Sequence, residues 1–356
     1  MGLPAINIIF KEVAATAIQR GERGIVALIL KDANVPSTNP FVVTTVSDIP
    51  TTLSAENKEQ IQLALMGYIR PPRKVIVYVL PDTATDYTEA QNYLETVKWD
   101  YVAVPGIQAS ETTTFATWIK NLRDTKNKKV KAVLPNTAAD HEGIINFATQ
   151  QIVTADKTYT TAEYCSRIAG MLAGTPLTIS ATFAPLPEVI DCDKLTKDEM
   201  DTAINQGKLI LYNDGEKVKI ARAVNSLVTT TQDKGESFKK IKIVDAMDMI
   251  YDDIKKTAED YYIGKYANSY DNKCLLISAI QAYFDQLELD GILDKGKNKV
   301  EIDLDAQIVY LRSIGVDVDN MKEQEIKEAN TRDKVFLKAN IKILDAIEDI
   351  TLNINI

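Results

Sequence analysis

A chain of 356 residues is larger than most single hydrophobic cores, so two domains of ordinary size are expected. With 45% hydrophobic and 26% charged residues the composition is that of a folded protein and not of a disordered one. A net charge of -9 with a pI near 5.0 speaks against a nucleic-acid binder, whose affinity rests on clustered cations.

No apolar run approaches the roughly 20 residues a membrane span needs. The start of the chain also lacks the basic, apolar, small-residue order of a secretory signal, so a soluble protein made in the cytoplasm is expected. Cys165, Cys192 and Cys274 form no Cys-x-x-Cys pair and read as reduced, buried thiols.

Near the start, Ile6, Ile8 and Phe10 share one face of a candidate strand. The first strong core strand is the continuous apolar run at residues 25–30, which suits a strand covered on both faces. Ser54 is placed to cap a helix carrying Ile61, Ala64, Leu65 and Tyr68, with Pro71 and Pro72 expected to end it. A buried strand at 75–80 follows, then a helix at 88–97, a strand at 101–104, a helix at 111–125, a strand at 130–134 and a helix at 161–173. The lysines between, Lys126, Lys128, Lys129 and Lys131, read as a solvated loop. Strands alternating with helices of this length predict crossover units and a largely parallel sheet.

The character changes near Pro185 and Pro187, where a domain boundary is expected. Thr196 caps a short helix ended by Gly207, and the runs at 209–212 and 218–221 flank Asn213, Asp214 and Gly215 as a hairpin. Two long amphipathic helices follow, at about 239–262 and 272–289. On the first, Asp245, Asp248 and Asp252 recur at three and four residues and read as a wet face or a docking surface. At the end, Ile350, Leu352, Ile354 and Ile356 alternate with Thr351, Asn353 and Asn355 as a half-buried strand. Residues 350–356 carry neither the side-chain charge nor the proline that usually blunts an edge strand, so pairing within the chain and pairing with another chain are both open.

Catalytic signals are weak. His141 is the one histidine, in a polar turn where a surface position is expected, and no Gly-x-Ser-x-Gly elbow, phosphate loop or dinucleotide fingerprint occurs. Asp252 with Asp253, and Asp317 with Asp319, read as solvated pairs and not as a catalytic dyad.

Several runs, in this order, resemble the tail sheath proteins of contractile phages and of R-type bacteriocins and defective prophages, the clostridial type above all. They are Gly2-Leu-Pro-Ala-Ile-Asn-Ile-Ile-Phe-Lys11 leading to Arg20-Gly-Glu-Arg-Gly24, then Arg222-Ala-Val-Asn-Ser226 and Phe238-Lys-Lys-Ile-Lys-Ile-Val-Asp245. Gly264-Lys-Tyr-Ala-Asn268 and Val335-Phe-Leu-Lys-Ala-Asn340 complete the set. The resemblance implies an N-terminal arm at 1–20 and a subtilisin-like α/β domain without catalytic residues at 21–185. It further implies a C-terminal α+β domain facing a tube at 186–340 and a C-terminal arm at 341–356.

It also implies a structural subunit without enzymatic activity, cofactor or metal, assembled as stacked six-membered rings around an inner tail tube. Arms built on Ile6, Ile8 and Phe10 and on Ile350, Leu352, Ile354 and Ile356 would exchange strands between subunits, and Asp245, Asp248 and Asp252 would face the tube. Expected partners are further copies of the chain, the tube protein, and baseplate and tail terminator proteins, with no nucleic acid and no membrane. The particle is expected to assemble in the bacterial cytoplasm and leave by lysis. The chain is short for this family and lacks the β-rich insertion of larger sheaths. An intracellular α/β hydrolase working through His141 and an inner tail-tube subunit are the alternatives.

Overall fold

In a computed structural model, which describes residues 16–356, the chain divides into two units. One joins residues 22–251 with 345–356; the other joins residues up to Gly21 with 252–344.

The larger unit is built on one seven-stranded sheet. Its chain runs β1 (Ile25–Asp32), β2 (Phe41–Val43), α1 (Ala55–Leu65), β3 (Lys74–Pro81), α2 (Thr88–Thr96), β4 (Tyr101–Ala103), α3 (Ala109–Asp124), β5 (Lys131–Pro135) and β6 (Ile144–Phe147). It continues through β7 (Ile152–Thr154), β8 (Thr158–Tyr159), α4 (Thr161–Ala173), β9 (Val189–Cys192), α5 (Lys197–Asn205), β10 (Lys208–Leu209), β11 (Leu211–Asn213) and β12 (Val218–Ile220) to α6 (Ile241–Thr257). The sheet order is β10-β6-β5-β4-β1-β3-β2, parallel except where β2 meets β3.

Strand β1 is central, and its alternating side chains feed two cores. Val26, Leu28 and Leu30 pack with residues of α1 and α4. Ile25, Ala27 and Ile29 pack with residues of α2 and α3. None of these six is more than 1% exposed, so each contributes about the full burial of its side chain, on the order of 1.5–3 kcal/mol for an isoleucine or leucine. Ser54, Thr160 and Thr196 cap α1, α4 and α5 by accepting from the backbone three residues on. The helix capped by Ser54 stops at Leu65, before the expected prolines, because Gly67 turns the chain at φ +62°.

The expected boundary near 185 is corrected. Strand β10 pairs with β6 inside the large sheet, and the hairpin β11-β12 and the start of α6 belong to the same unit. The division falls at 251/252, within α6. The stretch 341–356 is likewise not one piece, since it divides after Leu344.

In the smaller unit the end of α6 passes into a π-helical turn (Ala258–Tyr262). The chain then forms α7 (Tyr270–Leu289), β13 (Lys299–Ile302), α8 (Leu304–Ser313), α9 (Glu323–Glu328) and β14 (Leu337–Asn340). Strands β13 and β14 form an antiparallel pair, and Leu311, Val318 and Ile326 make a small core between α8 and α9. Asp253, expected to be solvated, is 2% exposed and accepts from the Tyr283 hydroxyl at 2.7 Å and the Gly21 N–H at 2.8 Å. Asn268 donates to Thr331, Arg332 and Lys334, which ties the turn before α7 to the approach to β14. Among the described residues no helix is long and apolar enough to cross a membrane.

Candidate functional site

Two acids expected on a docking face lie inside the protein. Asp245 is 9% and Asp248 3% exposed, because α6 lays them against the N-terminal ends of β1, β4 and β5. Arg123, at the end of α3, grips Asp248 with two N–O contacts of 2.9 Å. Lys131, the first residue of β5, pairs with Asp248 and lies 2.9 Å from Asp245. Tyr101, the first residue of β4, donates to Asp245 at 2.7–2.8 Å. Arg23, 3.9 Å from Asp100, adds a further pair ahead of β1 and β4.

Three cations thus face these three carboxylates, and Arg123 also lies 3.9 Å from Glu142. Burial works against ionising Asp248, but Lys131 and Arg123 outweigh it and hold its carboxyl at about 2. Burial, with Asp245 beside it, pushes the Tyr101 phenol well above its ordinary range. Apart from the Arg123 Nε, which is buried without a hydrogen-bond partner among the described residues, these groups are paired with one another, and they sit at the opposite end of the strands from the one where open α/β sheets bind ligands. Asp245 and Asp248 are therefore structural, as is Lys131, which is fully buried and not part of a solvated loop. Asp252 is half-buried.

His141 is also buried, at 7% exposed, and not a surface residue. Its Nδ1 accepts the Gly143 N–H at 3.0 Å, which leaves the ring proton on Nε2, 3.1 Å from the Asp124 carboxylate. Burial pulls its pKa below the usual histidine value, against the pull of Glu142 and Asp124. Ser226 is near, but its hydroxyl donates to the His141 backbone carbonyl at 2.9 Å and does not face the ring. A serine, a histidine and an acid are thus close together without the bond from nucleophile to base that acyl transfer requires. Asp124, His141 and Glu142 also come close enough to suggest a metal set. The geometry opposes it: both histidine nitrogens are committed, and Glu142 holds Lys234 at 3.0 Å.

The end of the chain is different in kind. Ile350, Leu352 and Ile354 are 83%, 76% and 75% exposed, Ile356 is fully exposed, and residues 350–356 join no ladder among the described residues. The strand expected there has no partner in its own described chain. Among the described residues of the smaller unit β14 pairs on one side only, with β13, and its Lys338, Ala339 and Asn340 are exposed. Ile6, Ile8 and Phe10 lie outside the described residues.

Sequence reading missed Ser180, Thr182 and Arg222, which hold the acidic residues just before this end piece. Arg222 opens one of the runs quoted above, but nothing in the run shows what it grips.

The family model for the phage tail sheath protein central domain matches residues 82–226, and that for the phage tail sheath C-terminal domain matches residues 233–356. A tail sheath protein of Clostridium phage phiCD119 is 41% identical over 359 residues, covering 99% of each chain. The fold is similar to the sheath tail protein of Desulfitobacterium hafniense, with a TM-score of 0.72 at 19% identity over 84% of this chain and 94% of that one. It is equally similar to the helical sheath of the anti-feeding prophage in its contracted state, with a TM-score of 0.74 at 12% identity over 100% and 99%. A core whose charges are spent on its own packing fits a building block, and with both family models and the phage relative matching, the chain belongs to the phage tail sheath proteins.

Proposed function

We propose that this chain polymerises as stacked six-membered rings around an inner tail tube and contracts to drive that tube through a target cell envelope. The observation that carries the reading is the exposed, alternating row Ile350, Leu352, Ile354 and Ile356, which has no ladder partner in its own described chain. An exposed apolar row of this kind marks a surface that another surface covers. Strand addition beside β14 of a neighbouring copy would cover it while using main-chain hydrogen bonds. Residues 6–10 would form the second arm.

The α/β unit then serves as a rigid, subtilisin-like body without catalytic use, and the smaller unit faces the tube. Of the three acids expected on the tube-facing helix, Asp252 alone is left to the tube. Arms that keep their pairing while the bodies rotate would let rings descend without losing their neighbours. Burying about 400 Å² more apolar surface per subunit in the contracted state contributes roughly 10 kcal/mol before polar and entropic costs, which drives the change without nucleotide.

Negative-stain electron microscopy of the purified chain, concentrated without other components, tests this. Hollow cylinders with six-fold end views are expected; persistent monomers at high concentration would overturn it.

A further inference from the structure

Just before the exposed end piece, the chain is held by charge. Asp345 pairs with Lys240, and Asp349 accepts from Arg222 at 2.6 Å. Between them the Glu348 side chain is 8% exposed. Its Oε1 accepts from the Ser180 hydroxyl at 2.9 Å and the Thr182 hydroxyl at 2.6 Å, and Arg222 Nε lies 3.9 Å from its Oε2. The Ala223 N–H donates to Thr182 Oγ1 at 3.0 Å, so the threonine's own proton is directed to the carboxylate. Buried Lys242 adds positive potential toward Asp345 and Glu348. All of these residues belong to the α/β unit.

The grip is polar throughout. Ile347, the apolar side chain within the segment that could have anchored it, points away at 87% exposed. The outer pairs are partly in water: Arg222 is 33% exposed against Asp349 at 82%, and Lys240 is 35% against Asp345 at 41%. Pairs of this kind are weakened by salt and break without exposing apolar surface. A permanent anchor would instead bury an isoleucine.

We propose that Ser180, Thr182, Arg222 and Lys240 form a releasable socket for the acidic segment 345–349, which sets the point where the C-terminal arm leaves the body. Closed, the socket leaves seven residues free to reach a neighbour. Open, it adds five more, or about 17 Å of extended chain. An arm with two lengths keeps its strand paired in a neighbour while the distance between the two bodies changes. This rests on reading residues 350–356 as an inter-subunit arm; the socket itself is tested in unassembled subunits, so its failure is distinct from a failure to form cylinders.

The experiment is limited digestion of dilute, monomeric full-length chain with a protease of broad specificity, with cut sites read by intact mass. In the wild-type chain, cuts within 350–356 should be fast and cuts within 345–349 slow, which provides an internal control. Glu348→Gln and Arg222→Gln should each speed cutting within 345–349 by about tenfold while leaving the outer cuts unchanged, because cleavage follows the open population. High salt should speed the wild-type inner cuts in the same direction. Should Glu348→Gln fail to fold, Lys240→Gln carries the same test at the rim. Inner cuts as fast in the wild-type chain as in the variants, or a rate indifferent to both salt and substitution, would overturn the socket.

Discussion

Arg123 and Asp248, 125 residues apart in sequence, meet through two N–O contacts of 2.9 Å with both side chains 4% exposed. The pair fastens α6 to the end of α3, and Lys131 of β5 leans on the same carboxylate. Breaking a buried pair from one side leaves an uncompensated charge, which costs about 3–5 kcal/mol. Asp248→Ala strands two cations and should lower unfolding free energy by that order in urea; Arg123→Ala should do nearly as much. A loss under about 1 kcal/mol for both would mean that water reaches the cluster.

Stability should fall with acid in two separate windows. His141 titrates below its ordinary value in the folded chain, mainly through burial, so the unfolded chain binds its proton more readily. Its contribution is present above about pH 6.5 and is lost as the pH falls from there. Asp248 is held at about 2 against an ordinary 3.8, so its contribution persists to about pH 4 and is lost between there and pH 2, amounting to about 2 kcal/mol. His141→Asn should flatten the first decline, and Asp248→Asn should lessen the second, to which Asp32, Glu142 and Glu188, also held below their ordinary values, contribute. Denaturant midpoints that stay level from about pH 7 to about pH 5 in the wild-type chain would exclude the histidine's part.

The α/β body was legible because its signals are local. Residues 25–30 form an unbroken apolar run, and Ser54 and Thr196 each precede a helix as caps. The three-and-four spacing of Asp245, Asp248 and Asp252 correctly puts them on one stripe of α6, yet no periodicity shows that Arg123 and Lys131 return from far upstream to cover two of them. Lys131 was hidden in a run of surface lysines for the same reason. The misplaced boundary has a similar cause: β10 is two residues long, too short to announce a strand, and its pairing with β6 is what draws residues beyond 185 into the larger unit. At the end piece alternation alone predicts a half-buried strand, yet residues 350–356 are exposed and join no ladder among the described residues; the grip on Glu348 depends on Ser180 and Thr182, far away in sequence and ordinary in type.

At Gly170 α4 packs closely against α1. A Cβ there would lie 2.0 Å from the Ala64 carbonyl oxygen and 2.8 Å from its Cα, and backbone cannot swing aside as a side chain can. Gly170→Ala should therefore force the helices apart and cost about 1–3 kcal/mol or more, despite alanine's better helix propensity. Gly235 has no atom within 4 Å of such a Cβ, and Gly235→Ala should stay within about 0.5 kcal/mol. Equal melting temperatures for the two variants would contradict the close contact.

A chain ending at Asp349 separates folding from assembly. The apolar side chains it loses are 75% or more exposed and the segment joins no ladder within the described residues, so its removal takes little burial from the subunit's own core. Circular dichroism and melting temperature should match the full-length chain. Sedimentation velocity should show monomers at concentrations where the full chain forms cylinders, because the alternating apolar face that a neighbour would cover is gone. Leu352→Asp should act in the same direction by placing a charge in the middle of that face. If the shortened chain instead forms ordinary cylinders, the contacts between subunits lie in the bodies alone; if it unfolds, residues 350–356 serve their own subunit and the strand-exchange reading falls.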